Sequence, residues 1–199
     1  KIMSFRIEKK ILINKFNLFE FKKKIFSLGA TTLFKNRKVQ SLYFDNLRKQ
    51  MYNDSLEGLA PRKKIRVRDY PKDSNKSFKL ETKISSVEGR HKTTKKISKE
   101  YFENIKANGY FDQKYGLCTP LLNVLYEREY LKKDNIRITI DTDIIYNIYN
   151  GLIKKKDESV VVELKASKNM DIDDLFEQFP FQEIRFSKYC RGIELFNRN

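Results

Sequence analysis

Strict alternation of polar and apolar positions dominates this chain. In "RKKIRVRD" (62–69), Arg62, Lys64, Arg66 and Arg68 take every second position, with Ile65 and Val67 between them. An extended strand sends successive side chains to opposite faces, so the four cations share one face and the aliphatics the other. The same period recurs elsewhere. Arg6, Glu8 and Lys10 alternate with Phe5, Ile7 and Ile11, and Lys79, Glu81 and Lys83 with Phe78, Leu80 and Ile84. Arg137, Thr139 and Asp141 oppose Ile136, Ile138 and Ile140, while Glu163 and Lys165 oppose Val160, Val162 and Leu164. Arg128 shares its parity with Tyr126 and Tyr130. These patterns predict strands over 4–13, 39–45, 62–70, 77–85, 121–131, 136–144 and 158–166. The turn sequences "DYPKDSN" and "KKDN" join two pairs of them as hairpins.

Between the strands the period changes to that of a helix. Asn14 is placed to cap a helix carrying Phe16, Phe19, Phe26 and Leu28 inward and closed by Gly29. A short helical piece follows from about Asn46 and ends in a turn at Gly58. Ser98 caps another helix ending near Gly109, and Asp171 opens a short amphipathic one ending at Pro180. Many antiparallel strands with inserted helices read as an α+β fold. With no internal repeat, low-complexity tract or Pro/Gly-rich linker, residues 1–199 are expected to form a single domain.

One-sided antiparallel sheets routinely expose a wet polar face. Here, however, the polar faces hold Arg and Glu at strand centres rather than a mixture of Lys, Ser, Thr and Gln. The amphipathic helices, in turn, need the apolar side. A curled sheet with helices outside would turn its ionic faces toward each other. The result would be a small barrel with a charged lumen, favourable only when a charged ligand fills it.

Charge sharpens this picture. The chain has 42 Lys+Arg against 26 Asp+Glu, a formal net charge of +16, which points to a polyanionic partner: nucleic acid, an anionic membrane surface or phosphates. Part of the lysine excess reads as a solvated surface in a Lys-, Asn- and Ile-rich composition. The two cysteines, Cys118 and Cys190, and the single His91 lack the spacing for zinc, a disulfide framework or a Ser-His-Asp hydrolase. His91 lies in a polar, loop-like run. No apolar stretch reaches the length of a membrane-spanning helix and the first residues lack a signal-peptide core, so a cytoplasmic protein is expected.

Eight pieces, in order, resemble the triphosphate tunnel metalloenzymes (CYTH-like), and within them the VTC-type polyphosphate polymerase branch. They are "RIEKK" (6–10), "SLYFDN" (41–46), "RKKIRVRDY" (62–70), "KLETK" (79–83), "YER" ending at Arg128, "RITIDTDI" (137–144), "VVVELK" (160–165) and "FSKYCRGI" (186–193). The resemblance implies an antiparallel tunnel barrel of about eight strands, with helices packed outside, that binds triphosphate or polyphosphate through basic residues and a divalent metal. Carried over by position, Lys10, Arg66, Arg68, Lys83, Arg128 and Lys188 would be catalytic phosphate-gripping residues. Arg137, Lys165, Lys95, Lys96 and Tyr126 would contribute to substrate binding. Glu163, with Glu8 as a second carboxylate, would hold Mn²⁺ or Mg²⁺. The wider superfamily opens with ExExK, whereas Arg6 stands here in place of the first Glu, which fits the polymerase-like branch.

The residue types suit phosphoryl transfer on their own account. That chemistry needs placed positive charge and an in-line acceptor more than covalent help from the protein. Arginine offers planar paired contacts to phosphate oxygens and lysine a point charge. Carboxylates among them call for a hard cation. The implied partners are ATP or another nucleoside triphosphate, inorganic polyphosphate, and phosphate or pyrophosphate. The open alternatives are a tripolyphosphatase or nucleoside triphosphatase, or a non-catalytic polyphosphate binder, on the same fold. A nucleic-acid-binding module is disfavoured by the glutamates interleaved with the arginines.

Overall fold

The computed structural model describes residues 6–72, 77–167 and 172–197. Its strands are β1 (Arg6–Ile13), β2 (Thr31–Asp45), β3 (Arg62–Asp69), β4 (Phe78–Ser86), β5 (Gly89–Ile97), β6 (Tyr110–Asp112), β7 (Gly116–Lys133), β8 (Ile136–Ile148), β9 (Lys154–Lys156) and β10 (Val160–Ser167). Its helices are α1 (Lys15–Ser27), α2 (Gln50–Glu57), α3 (Lys99–Asn108), α4 (Ile172–Phe176) and α5 (Lys188–Asn197). The main path of the sheet runs β1-β10-β8-β7-β2-β3-β4-β5, with β6 on β7 and β9 on β8. The α+β class with an antiparallel sheet of eight strands on its main path is the expected one.

The chain forms two compact units. The first comprises Lys1–Arg37, Tyr126–Ile144 and Lys156–Phe186; the second comprises Lys38–Leu125, Ile145–Lys155 and Ser187–Asn199. In the first unit, β1, β10 and β8 lay Ile11, Ile13, Val160, Val162, Leu164, Ile136, Ile138 and Ile140 into one core with Phe21 and Ile25 of α1. In the second, Leu42, Phe44, Ile65, Val67 and Leu80 are buried along β2, β3 and β4, and α2 packs on β3 and α5. Gly192 lets α5 approach closely, since a Cβ there would lie 2.5 Å from Leu122 Cδ2 and 2.7 Å from Tyr146 Cδ1.

Several local signals act as the sequence suggests. The Asn14 side chain accepts from Asn17 N at 2.7 Å, and Ser98 Oγ accepts from Tyr101 N at 3.1 Å. The "KKDN" turn places Asp134 in the left-handed region (φ 52°). Others need correction. Strand β2 begins at Thr31 rather than 39, and β5 was not anticipated, because "GRHKTTKKI" has no apolar alternation to announce a strand. Asp171, read as a helix start, lies outside the described residues, and α4 is described from Ile172.

The clearest correction concerns α1. Phe16, Phe19 and Phe26, expected inward, are 77%, 68% and 43% exposed, and the helix buries Phe21 and Ile25 instead, with Leu18 and Leu28 packed alongside. Both sets, 16/19/23/26 and 18/21/25/28, follow helical spacing, and an offset of two residues sets them on nearly opposite faces. The second set wins because it is apolar throughout. The first carries Lys23 at its centre.

Candidate functional site

The second unit holds a dense cationic face. In the β3-β4-β5 meander, Arg68 pairs with Lys79 and Lys79 with Lys96. Arg66 pairs with Glu81 and Glu81 with Thr94; Lys64 pairs with Lys83 and Lys83 with Lys92; Arg62 pairs with Ser85 and Ser85 with Arg90. Strand β2 extends two of these rows with Ser41 beside Arg68 and Tyr43 beside Arg66. Among these described rows, Glu81 is the sole acid, and it is only 3% exposed.

Glu81 gathers the cations around it. Arg66 donates to Oε2 from Nε at 2.8 Å and from a terminal nitrogen at 2.6 Å, and Lys92 Nζ donates to Oε1 at 2.5 Å. Arg68 stands 3.9 Å from Oε2. The other terminal nitrogen of Arg66 donates to the Tyr43 hydroxyl at 2.8 Å. Burial pushes the Glu81 carboxyl up, but Arg66, Arg68 and Lys92 outweigh it and hold its pKa at about 2. Lys92 moves the other way, lowered by burial and by the nearby arginines against the pull of Glu81. A face with so many cations and one carboxylate is built for further negative charge, and Arg with Lys is the donor set that suits phosphate oxygens.

The first unit holds a second ionic face, of mixed sign. The register sets Glu8 opposite Lys165 and Lys10 opposite Glu163, then Glu163 opposite Thr139 and Lys165 opposite Arg137. Lys165 Nζ lies 3.1 Å from Glu8 Oε1 and 3.2 Å from Glu163 Oε1, bridging the two carboxylates. Lys10 Nζ is 3.7 Å from Glu163 Oε1 and donates to the Phe186 carbonyl at 3.2 Å. Burial lowers the Lys165 ammonium, with Arg128 and Arg137 adding to the effect. Arg128 is locked in a paired contact with Asp141, Nε to Oδ1 at 2.5 Å and a terminal nitrogen to Oδ2 at 2.7 Å, over the Tyr126 ring at 5.3 Å. Burial alone would lower this guanidinium, but Tyr126 and Asp141 reverse the direction and raise it.

The implied divalent cation fits this donor set. No cluster of three or more His, Cys, Asp or Glu occurs among the described residues. Mg²⁺ typically takes one or two carboxylates and completes its shell with water and substrate phosphates. Glu8 and Glu163 supply that pair, already drawn to one shared cation in the Lys165 ammonium. The Thr139 hydroxyl is buried beside them with no hydrogen-bond partner among the described residues.

The sequence-read candidates therefore fall into two sets. Arg66, Arg68, Lys83 and Lys96 share the second unit's cationic face; Glu8, Lys10, Arg128, Arg137, Glu163 and Lys165 cluster in the first. Lys95 is on the opposite face from Lys96, because it pairs with Leu80. Tyr126 is 2% exposed beneath Arg128, which leaves no ring face for a base to stack on. Lys188 opens α5, next to Ser187, whose hydroxyl accepts from Lys64 Nζ at 2.9 Å. Lys92 was missed together with its strand. Much of "SLYFDN" and "FSKYCRGI" is scaffold. Buried Asp45 accepts from Met51 N, Tyr52 N and the Tyr189 hydroxyl, and Tyr189 stacks on Tyr43.

Solved structures share this fold. A candidate adenylate cyclase from Bacillus halodurans superposes with a TM-score of 0.63 at 12% identity, over 92% of this chain and 94% of its own. One from Vibrio parahaemolyticus gives 0.59 at 12%, over 97% and 99%; a Pyrococcus horikoshii protein gives 0.59 at 15%, over 98% and 100%. At such identities the likeness concerns fold alone. The chain belongs to the VTC domain family, whose profile matches residues 5–197. No curated protein matches it.

Proposed function

We propose that this VTC domain is a polyphosphate polymerase-like phosphotransferase that uses ATP or another nucleoside triphosphate in the cytoplasm. The observation that carries the reading is the β3-β4-β5 face, where Arg66, Arg68, Lys79, Lys83, Lys92 and Lys96 share their rows with a single carboxylate, Glu81, already paired by Arg66 and Lys92. Arg66 and Arg68 grip phosphate oxygens of the chain, and Lys83 and Lys96 add point charges along it. Lys10, Arg137 and Lys165 contribute cations of the same kind in the first unit. Arg128, clamped by Asp141, is a fixed charge rather than a mobile one.

The reaction joins an oxygen of the acceptor's terminal phosphate to the γ-phosphorus as the bond to the β–γ bridging oxygen breaks. The nucleoside diphosphate departs with that oxygen. Phosphate, pyrophosphate or a growing polyphosphate chain serves as acceptor. Fixed cations stabilise the negative charge as it redistributes between attacking and leaving oxygens, and they need no reorganisation to do so. Mn²⁺ or Mg²⁺ held by Glu163 and Glu8 would supply further neutralisation of phosphate charge. The protein's own task is to align the acceptor and exclude competing water.

Purified protein incubated with ATP and Mn²⁺, followed by gel analysis for polyphosphate and a free-phosphate assay, tests the proposal. A ladder of polyphosphate supports it. Free phosphate alone makes the domain a triphosphatase, and neither product makes it a binder.

A further inference from the structure

The outward stripe of α1 has no part in the reading above. Phe16, Phe19 and Phe26 recur at helical spacing, and each is substantially exposed. Three exposed phenylalanines on one face of a 13-residue helix are an unusual expenditure of apolar surface for a solvated element. Lys23 sits at the centre of the stripe and Lys24 at its border, both exposed, against one exposed acid, Glu20. Two other lysines of the helix are paired: Lys15 lies 3.6 Å from Asp143 and Lys22 2.5 Å from Glu129.

We propose that this face of α1 docks in the plane of an anionic lipid surface. Charge decides between occupants. A second copy is another chain of net charge +16, so self-association through this face works against long-range repulsion between the two chains. A protein partner closing over the phenylalanines would have to bury the Lys23 ammonium at the centre of the interface, where charged groups are depleted. A bilayer accepts both features together. The rings enter the headgroup and acyl boundary, and the lysine stem lies along them with its ammonium among lipid phosphates. The helix is already anchored by Phe21 and Ile25 on its opposite face, so it arrives folded and presents the stripe without an ordering cost.

The chain contains no tryptophan, so Phe19→Trp installs a unique reporter. With vesicles of phosphatidylcholine containing about 30 mol % phosphatidylserine, its emission should shift to the blue. Vesicles of phosphatidylcholine alone should leave it unmoved. In co-sedimentation, the double variant Phe16→Ser/Phe19→Ser should bind anionic vesicles at least about tenfold more weakly while keeping the wild-type circular dichroism and Tm. Lys23→Glu changes the charge by two and should lose about 25-fold, against roughly fivefold for deleting one lysine near such a surface. Equal sedimentation of wild type and the double variant would reduce the effect to general attraction of a basic chain and overturn the proposal. An unmoved tryptophan on sedimented protein, or no binding by wild type, would overturn it too.

Discussion

Glu81→Gln removes the one negative charge from the cationic face while keeping the shape of the side chain. In the wild type, Glu81 is buried with a pKa of about 2 against an ordinary value of 4.5. That difference of about 2.5 units corresponds to about 3 kcal/mol of stability at neutral pH. The folded pKa lies below the unfolded one. The contribution is therefore complete above pH 4.5 and is lost as pH falls through 4.5 toward 2, with about 2 kcal/mol already gone at pH 3. For a chain of 199 residues, about 3 kcal/mol corresponds to a Tm lower by about 6–12 °C. Thermal denaturation of both proteins at pH 7 and pH 3 reads this directly: a wide gap at neutral pH, much narrower in acid. Tripolyphosphate should rescue the variant by more than it stabilises the wild type, because it supplies the charge that Arg66, Arg68 and Lys92 have lost. Equal Tm values at pH 7, or a gap that does not narrow in acid, would refute the reasoning.

Glu163→Gln should lower turnover of the folded protein by orders of magnitude, and near-normal activity at limiting metal would remove Glu163 from the metal role. Lys165→Met deletes the ammonium that bridges Glu8 and Glu163, so Mn²⁺ binding to the ligand-free protein, measured calorimetrically, should tighten. Unchanged or weaker binding would mean that this carboxylate pair is not the cation's holder. Gly192→Ala forces a methyl against Leu122 and Tyr146 and should cost about 1–3 kcal/mol of unfolding free energy in urea, with phosphate binding intact once folded.

The strand faces were legible because a period of two leaves no ambiguity about which residues travel together. Glu8 and Lys10 keep one face of β1 and Glu163 and Lys165 one face of β10, and the register then sets Glu8 opposite Lys165, Lys10 opposite Glu163 and Arg66 opposite Glu81. The α1 phase was not legible, since two apolar stripes with the same period compete and only tertiary packing chooses between them. Strand β5 escaped because both of its faces are polar; its pairing with β4, not its composition, makes it a strand, and Lys92 was lost with it. Motif order could not separate chemistry from scaffold either. Asp45 and Tyr189 sit in conspicuous pieces of sequence, yet they serve to cap α2 and to hold α5. Tyr126 shares its parity with Arg128, whose guanidinium lies over the tyrosine ring.

The most direct test of the phosphate-binding face is the thermal shift produced by tripolyphosphate on the wild type and on Arg66→Ala, at ligand concentrations near the wild-type Kd. On the proposed reading Arg66 makes a charge-assisted contact to phosphate worth about 1.5–3 kcal/mol, so the variant should bind about ten- to a hundredfold more weakly and gain correspondingly less stability. A large shift for wild type and a small one for Arg66→Ala is the predicted result. Equal shifts for the two proteins would show that the phosphate chain does not engage this strand and would contradict the account.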